Sequence, residues 1–310
     1  MALVYISPWS DANLWRQQVA RHLPGEELRV WPDVGDARAI DVALVWKPPH
    51  GALATLPNLK LIANLGAGVE HLMADPALPR HVPMTRLVHP LMTEQMSEYC
   101  ALGVMMGLRR VAEYMASQRA GQWVAREADV APPSQRAVGV LGLGELGGDT
   151  ARKLAALGYQ VHGWSRSPRD LPGIACHHGR DGLDAMLGAC DAVVCLLPLT
   201  TATRGIIDRR FLGRLKPGAI LVNAARGAHV VDDDLLAALD DGRVGFALLD
   251  VFYDEPLPAG HRYWSHPRVM ITPHIAALTL PVMADVILAN VKRLRAGQPL
   301  VDQVDPTRGY

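Results

Sequence analysis

The 310-residue chain lacks the features of several protein classes. Its formal net charge is zero, with no long basic run or aromatic–basic interleaving, so its electrostatics do not favour nucleic-acid binding. No apolar run approaches the length of a membrane span, and the first residues lack the basic start and long apolar stretch of a signal peptide. The four cysteines show no Cys-x-x-Cys spacing, which fits a reducing compartment. We therefore expect a soluble, cytoplasmic protein that binds neither nucleic acid nor membranes.

What the chain does contain is two series of short apolar strands that alternate with helical segments. Its length suggests two domains, and the alternation predicts parallel sheets with crossover helices. A proline-free stretch between the series, 93–122, has apolar residues at helical spacing and predicts one long helix with Thr93 as its N-cap. A first helix is expected near residues 11–22, and a last one over 281–294. The predicted strands cover residues 3–6, 28–30, 42–45 and 61–64, then 138–141, 161–164, 192–197, 219–223, 246–250 and 269–272.

The most informative motif is VGVLGLGELGGDTA at residues 138–151. Between a strand and a helix, this glycine spacing is typical of a dinucleotide-binding turn. Gly142 permits the tight turn, Gly144 lets backbone approach a pyrophosphate, and Gly147 lets helix and strand pack closely. The phosphates would then meet unpaired N–H groups at the helix N-terminus. A purely structural strand–turn–helix is the alternative.

The residues that follow the next predicted strand, which ends at Trp164, indicate which dinucleotide is bound. An NAD site typically has an Asp or Glu there for the ribose 2′-hydroxyl, but the chain continues with Ser165 and Arg166 and has no carboxylate before Asp170. A hydroxyl and a guanidinium suit a 2′-phosphate, which a carboxylate would repel. The residues therefore favour NADP(H), with NAD as the weaker alternative, although a solvated basic turn is also compatible with them.

Three later segments each end a predicted strand with a chemically useful side chain: Arg226, Glu255 and His274. In an open α/β sheet, ligands bind beyond the carboxyl ends of the strands, so the three can converge on one crevice. An arginine, a carboxylate and a histidine together suit the reduction of a 2-keto acid. Taken singly, they are a surface arginine, a loop-ending Glu-Pro and a turn histidine.

Together with LVNAARG (221–227), LDVFYDEPLP (249–258) and TPHIA (272–276), the glycine-rich motif resembles the D-isomer-specific 2-hydroxyacid dehydrogenase family. The resemblance implies an α/β fold with two Rossmann-like domains, each a doubly wound parallel sheet, and usually a homodimer. The substrate domain would consist of residues 1–93 and 279–310, and the dinucleotide-binding domain of residues 94–278. The segments at 45–49, 65–69, 164–167 and 308–310 are similar to bacterial NADPH-dependent glyoxylate and hydroxypyruvate reductases.

The resemblance also implies roles for single residues. His274 would deliver a proton to the carbonyl oxygen, and Glu255 would favour the charged imidazole and orient it. Arg226 would polarise the ketone and bind the carboxylate. The turn containing Ala67 and Gly68 would offer backbone N–H groups to the same carboxylate, and Trp46 would lie in a substrate loop, whereas the role of Lys47 stays open. The cofactor positions implied are Gly142, Leu143, Gly144, Glu145, Leu146, Gly147, Ser165, Arg166, Pro198, Thr203, Ala224, Asp250, His274 and Ala276.

The function expected from these residues is NADPH-dependent reduction of a small 2-keto acid. A nucleotide-responsive corepressor-like module is an alternative, although a sensor would not need the combination of Arg226, Glu255 and His274. Another 2-hydroxyacid dehydrogenase or a formate dehydrogenase is the remaining enzymatic alternative. No metal is expected, because His177 and His178 have no partner at metal-ligand spacing and are interpreted as a solvent-facing pair.

Overall fold

The protein is represented by a computed structural model that describes residues 2–8, 12–125 and 131–305. The chain divides into two units: Met1–Met92 with Thr279–Tyr310, and Thr93–Leu278. The start predicted for the first helix at Asp11 and the C-terminal motif at 308–310 lie outside the described residues.

In the described residues, strands and helices largely alternate along the chain. The strands are β1 (Ala2–Ile6), β2 (Glu27–Val30), β3 (Ile40–Val45), β4 (Leu61–Asn64), β5 (Met84–Thr85), β6 (Ala137–Leu141), β7 (Gln160–Ser165), β8 (Ala175–His178), β9 (Ala192–Cys195), β10 (Ala219–Asn223), β11 (Val244–Leu249) and β12 (Val269–Ile271). The helices are α1 (Ala12–His22), α2 (Glu70–Met73), α3 (Pro90–Leu108), α4 (Val111–Arg119), α5 (Glu145–Ala156), α6 (Gly179–Ala189), α7 (Arg209–Arg214), α8 (Asp232–Asp240) and α9 (Ala284–Arg295).

The first unit contains a parallel sheet in the order β2-β1-β3-β4-β5. Every residue of β1, β3 and β4 is buried, as expected for central strands that are covered on both faces. The guanidinium of Arg295 pairs with Asp41 and Glu26, so that α9 is tied to the N-terminal part of this unit. Both chain ends thus contribute to one unit.

The second unit contains a seven-stranded parallel sheet in the order β12-β11-β10-β9-β6-β7-β8. The strand order reverses between β6 and β9, which is the topological switch point where doubly wound sheets bind ligands. Buried apolar clusters cover both faces of the sheet. The predicted fold class, two doubly wound parallel α/β sheets, is confirmed.

The long helix predicted over 93–122 is wrong in its bounds and in its continuity. The helix begins at Pro90, whose missing N–H and fixed φ suit a first helical position. Thr93 is therefore inside the helix, where its carbonyl accepts the Ser97 hydroxyl at 2.9 Å. The helix ends at Leu108, because Arg110 adopts the left-handed conformation with φ 54° before α4 begins. The apolar face is nevertheless buried, with Cys100 and Val104 fully inaccessible.

Two short strands, β5 and β8, are absent from the sequence-based prediction. β5 has only two residues, and β8 reads Ala-Cys-His-His at an edge of its sheet, so neither has an apolar pattern. The final helix α9 begins three residues later than predicted, because residues 281–283 form a separate 3-10 turn. The remaining predicted strands coincide with observed ones to within about two residues.

Candidate active site

The glycine-rich turn lies at the switch point of the second unit. Gly142 has a φ of 94°, and a Cβ there would lie 2.7 Å from the carbonyl oxygen of Leu196. A Cβ on Gly147 would overlap the carbonyl oxygen of Gly142, so α5 can approach β6 only with glycine at this position. Gly144 is the N-cap of the 12-residue helix α5, and a Cβ there would enter open space. The turn thus leaves room for a phosphate beside a helix N-terminus.

The flanking residues of this turn differ in their exposure. Leu143 is buried and packs against Gly163 of β7, whereas Glu145 is exposed and Leu146 is half-buried. Gly142 donates its backbone N–H to the carbonyl of Trp164 at 2.8 Å, which holds the turn against the end of β7. The predicted phosphate-binding residues are therefore adjacent to the strand end that is expected to select the ribose.

At that strand end, Ser165 is half-buried and Arg166 is exposed. The Ser165 hydroxyl donates to the carbonyl of Ser167 at 2.7 Å, and the Trp164 indole N–H donates to the carbonyl of Gly179 at 2.7 Å. These bonds shape a turn in which the Ser165 hydroxyl is bonded within the loop, the Arg166 side chain is exposed, and residues 165–169 contain no carboxylate. The turn suits a 2′-phosphate better than a free ribose diol.

On the other side of the switch point, the loop after β9 is held by Thr203. Its hydroxyl donates to the carbonyl of Pro198 at 2.7 Å and accepts the backbone N–H of Thr200 at 2.8 Å. Pro198 itself is exposed. Ala224 and Ala276 are buried in the same apolar cluster of this unit. Both alanines lie beyond the carboxyl ends of their strands, Ala224 after β10 and Ala276 after β12.

Arg226 follows β10 and is positioned by its neighbours. The Asn223 amide donates to the carbonyl of Arg226 at 3.0 Å, and the guanidinium donates to the carbonyl of Ala225 at 2.6 Å. A Cβ on Gly227 would overlap the backbone of Phe252, so the loop after β10 lies directly against the loop after β11. This contact brings the Arg226 and Glu255 segments together, as their places at strand ends predict.

Glu255 and His274 form a direct pair. His274 Nδ1 lies 2.9 Å from Glu255 Oε2, and both side chains are largely buried. Glu255 Oε1 accepts the backbone N–H of Phe252 at 3.1 Å, so that both carboxylate oxygens are engaged. Because an ionised carboxylate only accepts, Nδ1 is the donor in this pair.

The backbone of His274 adopts the left-handed region with φ 56°, which is unusual for a residue with a side chain. Asp250 supports this conformation. Its carbonyl accepts the His274 N–H at 2.8 Å, its Oδ1 accepts the Ile275 N–H at 2.8 Å, and its Oδ2 accepts the Ala276 N–H at 2.9 Å. The buried Asp250 therefore fixes the loop that carries the imidazole.

The first unit contains the other predicted substrate-binding elements. Asn64 ends β4, and its amide donates to the carbonyls of Gly66 at 2.7 Å and Gly68 at 2.9 Å. The half-buried ring of Trp46 lies against Gly66, where a Cβ would overlap it, and 4.8 Å from the ring of His71. Lys47 follows with a φ of 44°. The turn at 66–69 is thus packed against Trp46.

Neither a metal centre nor a membrane-spanning helix is found in the part of the chain that the structure describes. Among the described residues, no group of three or more His, Cys, Asp or Glu side chains could hold a metal ion, and no helix there is long and apolar enough to cross a membrane. The interpretation of His177 and His178 as a solvent-facing pair is wrong for His177. This residue is half-buried on β8, and its Nε2 lies 3.0 Å from Nδ1 of His162 on the neighbouring strand.

Comparison with known proteins identifies the family. Residues 102–276 match the profile of the D-isomer specific 2-hydroxyacid dehydrogenase, NAD binding domain. The chain belongs to this dehydrogenase family. It is 42% identical, over all of both chains, to glyoxylate/hydroxypyruvate reductase A of Serratia proteamaculans. The resemblance inferred from the sequence motifs is confirmed.

Two solved structures are similar to this family member along its whole length. A D-isomer specific 2-hydroxyacid dehydrogenase from Xanthobacter autotrophicus in complex with NADPH and MES is 41% identical, with a TM-score of 0.94 and coverage of 100% of this chain and 99% of the other. An NADPH-dependent glyoxylate/hydroxypyruvate reductase from Sinorhizobium meliloti in complex with NADP and sulfate is 35% identical, with a TM-score of 0.92 and the same coverage.

Sequence reasoning missed a hydrogen-bonded chain behind the His274 loop of this dehydrogenase. The hydroxyls of Tyr99 and Thr272 lie 2.6 Å apart, and Thr272 donates to Asp250 Oδ1 at 2.5 Å. Burial raises the pKa of Tyr99, so its hydroxyl keeps its proton. Tyr99 is predictable only as part of an apolar helix face, because its partner is 173 residues away in the chain.

Proposed function

We propose that this dehydrogenase reduces small 2-keto acids with NADPH, converting glyoxylate to glycolate and hydroxypyruvate to D-glycerate. The observation that carries the proposal is the Glu255–His274 pair. Like Arg226 and the glycine-rich turn, this pair lies beyond the carboxyl-terminal ends of strands of the seven-stranded sheet. The names of the similar proteins, reductases of glyoxylate and hydroxypyruvate, support the same substrate class.

The residues of the second unit fit a bound NADPH. The open space at Gly144 and the N-terminus of α5 would hold the pyrophosphate, and Ser165 and Arg166 would hold the 2′-phosphate. Asp250, Ala224, Pro198 and Thr203 would line the remainder of the cofactor site. The chemistry that NADPH supplies when bound is a hydride for the carbonyl carbon of the keto acid.

The protein's own side chains would supply the proton and hold the anion. His274 Nε2 would donate a proton to the carbonyl oxygen as the carbonyl becomes an alcohol, leaving the imidazole neutral. Glu255 would hold the ring through Nδ1 and stabilise its charged form before transfer. The fork of Arg226 would bind the substrate carboxylate with two parallel hydrogen bonds and polarise the carbonyl.

We also propose that the turn at 66–69 in the first unit binds the substrate carboxylate through backbone N–H groups, including those of Ala67 and Gly68. Trp46, packed against this turn, would limit the size of the substrate side chain. With these assignments, the second unit acts as the dinucleotide-binding domain and the first as the substrate-binding domain.

Assembly as a homodimer in the cytoplasm completes the proposal. The exposed apolar side chains of Leu102, Met105, Tyr114 and Met115 on α3 and α4 would be covered by a second copy. Light scattering during size-exclusion chromatography should give twice the chain mass, whereas a monomeric mass would contradict this assembly.

The decisive experiment follows the loss of NADPH absorbance with glyoxylate or hydroxypyruvate as substrate. We expect turnover by the parent protein, and a kcat lower by roughly 10²–10⁴-fold in H274A, the usual contribution of a general acid. NADPH binding, measured by fluorescence titration, should be retained in H274A. A parent that binds NADPH but oxidises it with neither substrate would favour a corepressor-like module, and NADP reduction with formate would favour a formate dehydrogenase.

A further inference from the structure

Asn64 carries an inference about how the turn at 66–69 receives a carboxylate. Its side chain is 1% exposed, at the end of the buried strand β4. Its amide group donates to two carbonyls of the same turn, those of Gly66 and Gly68. We propose that Asn64 is a positioning residue that turns the backbone N–H groups of this segment towards the substrate carboxylate, an inference that rests on the proposed function.

The geometry of the peptide bond links the Asn64 contacts to the opposite side of the turn. In a trans peptide, the carbonyl and the next N–H point in opposite directions. With the carbonyls of Gly66 and Gly68 directed at Asn64, the N–H groups of Ala67 and Val69 are directed away from it. Within the described residues, no acceptor takes a hydrogen bond from the N–H of Ala67, Gly68 or Val69.

Two further donors hold carbonyls of the same segment. The Leu87 N–H donates to the carbonyl of Gly66 at 3.0 Å, and the Thr279 hydroxyl donates to the carbonyl of Leu65 at 2.7 Å. The carbonyl oxygens are thereby satisfied by protein donors, while the adjacent N–H groups stay available. Successive backbone N–H groups in such a turn form an anion-binding concavity.

The two ends of the Asn64 amide differ in their contacts: Nδ2 binds the turn, and Oδ1 does not. Its Oδ1 is buried and has no hydrogen-bond partner in the part of the chain that the structure describes. A flipped amide would place this oxygen against two carbonyl oxygens, so the orientation is fixed by the contacts. A buried amide oxygen without a donor destabilises the fold, whereas an apolar side chain at the end of β4 would avoid that cost. We therefore attribute the presence of asparagine at position 64 to the two hydrogen bonds that its Nδ2 donates, and not to packing of its side chain.

Trp46 restricts the turn from another direction. Because its ring occupies the space next to Gly66, the backbone at 66 cannot rotate freely without contacting the indole. The turn is therefore held on one side by the Trp46 ring, which lies against Gly66. The Asn64 amide holds it through hydrogen bonds to the carbonyls of Gly66 and Gly68. Losing the amide donors should release the carbonyls and misdirect the N–H groups without removing any apolar contact.

The substitution that tests this is N64D, which keeps the side-chain shape but places a carboxylate against two carbonyl oxygens. The matched control is N290D in the same unit. Asn290 is also buried, and its amide donates to the carbonyl of Val301 at 3.0 Å and accepts that residue's N–H at 2.9 Å. Both variants lose a buried amide donor, but only Asn64 contacts the turn at 66–69.

We expect N64D to raise KM for glyoxylate at least about tenfold, the loss of one or more hydrogen bonds to a charged group. The Kd of oxamate, a non-reacting carboxylate analogue, should rise by a similar factor when measured by calorimetry on the NADPH-bound enzyme. KM for NADPH should not change, and kcat should change much less than KM, because uniform binding is what is lost. N290D should leave the glyoxylate KM and the oxamate Kd at parent values.

Equal effects of N64D and N290D on glyoxylate KM and oxamate Kd would overturn the positioning role and leave Asn64 as a core residue. If circular dichroism shows that N64D does not fold, N64S is compared with the parent by the same two measurements, glyoxylate KM and oxamate Kd. A serine hydroxyl can donate only one hydrogen bond, whereas the Asn64 amide donates two. Failure of the proposed function is seen separately: the parent would not oxidise NADPH with any 2-keto acid. Oxamate binding by the parent and N64D would still report on the turn in that case.

Discussion

Glu255 joins His274 to the backbone of Phe252. One carboxylate oxygen contacts the imidazole Nδ1 at 2.9 Å, and the other accepts the Phe252 N–H at 3.1 Å. The carboxylate is thus held from both ends, and the ring orientation follows from it. The left-handed backbone of His274, tied to Asp250, fixes the same imidazole from its other end. The Glu255 side chain, acting on Nδ1, and the backbone bond from His274 to Asp250 together fix the orientation of the imidazole ring.

The first prediction concerns E255Q. Glutamine has a single acceptor oxygen, so it cannot accept from both the His274 ring and the Phe252 N–H as the two carboxylate oxygens do. The ring should therefore lose its fixed orientation, and kcat for glyoxylate should fall, at most by the roughly 10²–10⁴-fold expected for loss of the general acid itself. The measurement is kcat with saturating NADPH, together with the Kd of NADPH, which should stay at the parent value. An unchanged kcat would show that Glu255 is not needed to hold the ring.

Arg226 gives the second prediction. The R226K variant retains a positive charge but loses the planar fork that matches a carboxylate. We expect kcat/KM for glyoxylate to fall by roughly ten- to a hundredfold, as for a lost hydrogen bond to a charged group. The Kd of NADPH should stay at the parent value. Near-normal turnover by R226K would show that charge alone suffices and that Arg226 is not a bidentate anchor.

Much of the site was predictable because its residues stand at strand ends. Each functional element follows a recognisable apolar strand: the glycine-rich turn, Arg226, Glu255 and His274. A parallel sheet places the carboxyl ends of all its strands on the same side. Topology accounts for the convergence of these residues, whereas the pairing of Glu255 with His274, 19 residues apart, is implied by the resemblance to the family. Local sequence and sheet topology therefore determine these positions.

The features that escaped prediction depend on tertiary contacts. The chain from Tyr99 through Thr272 to Asp250 joins residues far apart in sequence, and no local pattern marks it. The helix break at Arg110 has neither glycine nor proline at the left-handed position. Asn64 follows three apolar strand residues, so that its role at the next turn becomes visible only from the carbonyls it contacts.

The third prediction concerns acid stability through Asp149 in the second unit. Burial alone would raise the pKa of this carboxyl, but hydrogen bonds from Lys153 and Ser97, at 2.8 and 2.5 Å, lower it below its ordinary value of 3.8. The unfolded chain therefore takes up this proton first as the pH falls. The stabilisation from ionised Asp149 is present above the unfolded pKa and is lost as the pH falls through the folded one.

Urea unfolding at pH 7 and pH 3.5 checks this contribution. The decrease in the unfolding midpoint between the two pH values should be smaller in D149N than in the parent, because the neutral amide cannot titrate. D170N, at an exposed loop position, is the control and should keep the parent's decrease. An equal decrease in D149N and the parent would exclude Asp149 as a source of the acid sensitivity.

The last prediction concerns the choice of cofactor. Arg166 is exposed at the end of β7, beside Ser165, where a carboxylate would serve NAD. Charge-assisted hydrogen bonds to a 2′-phosphate contribute about 1.5–3 kcal/mol, so the parent should prefer NADPH to NADH by roughly ten- to a hundredfold in kcat/KM. R166D should reverse this preference, since its carboxylate accepts from the ribose hydroxyl and repels the phosphate. R16D, the same charge change on an exposed residue of α1, should leave the ratio unaltered. A parent that prefers NADH would refute the assignment of Ser165 and Arg166, while the roles of His274 and Glu255 in proton transfer would stand.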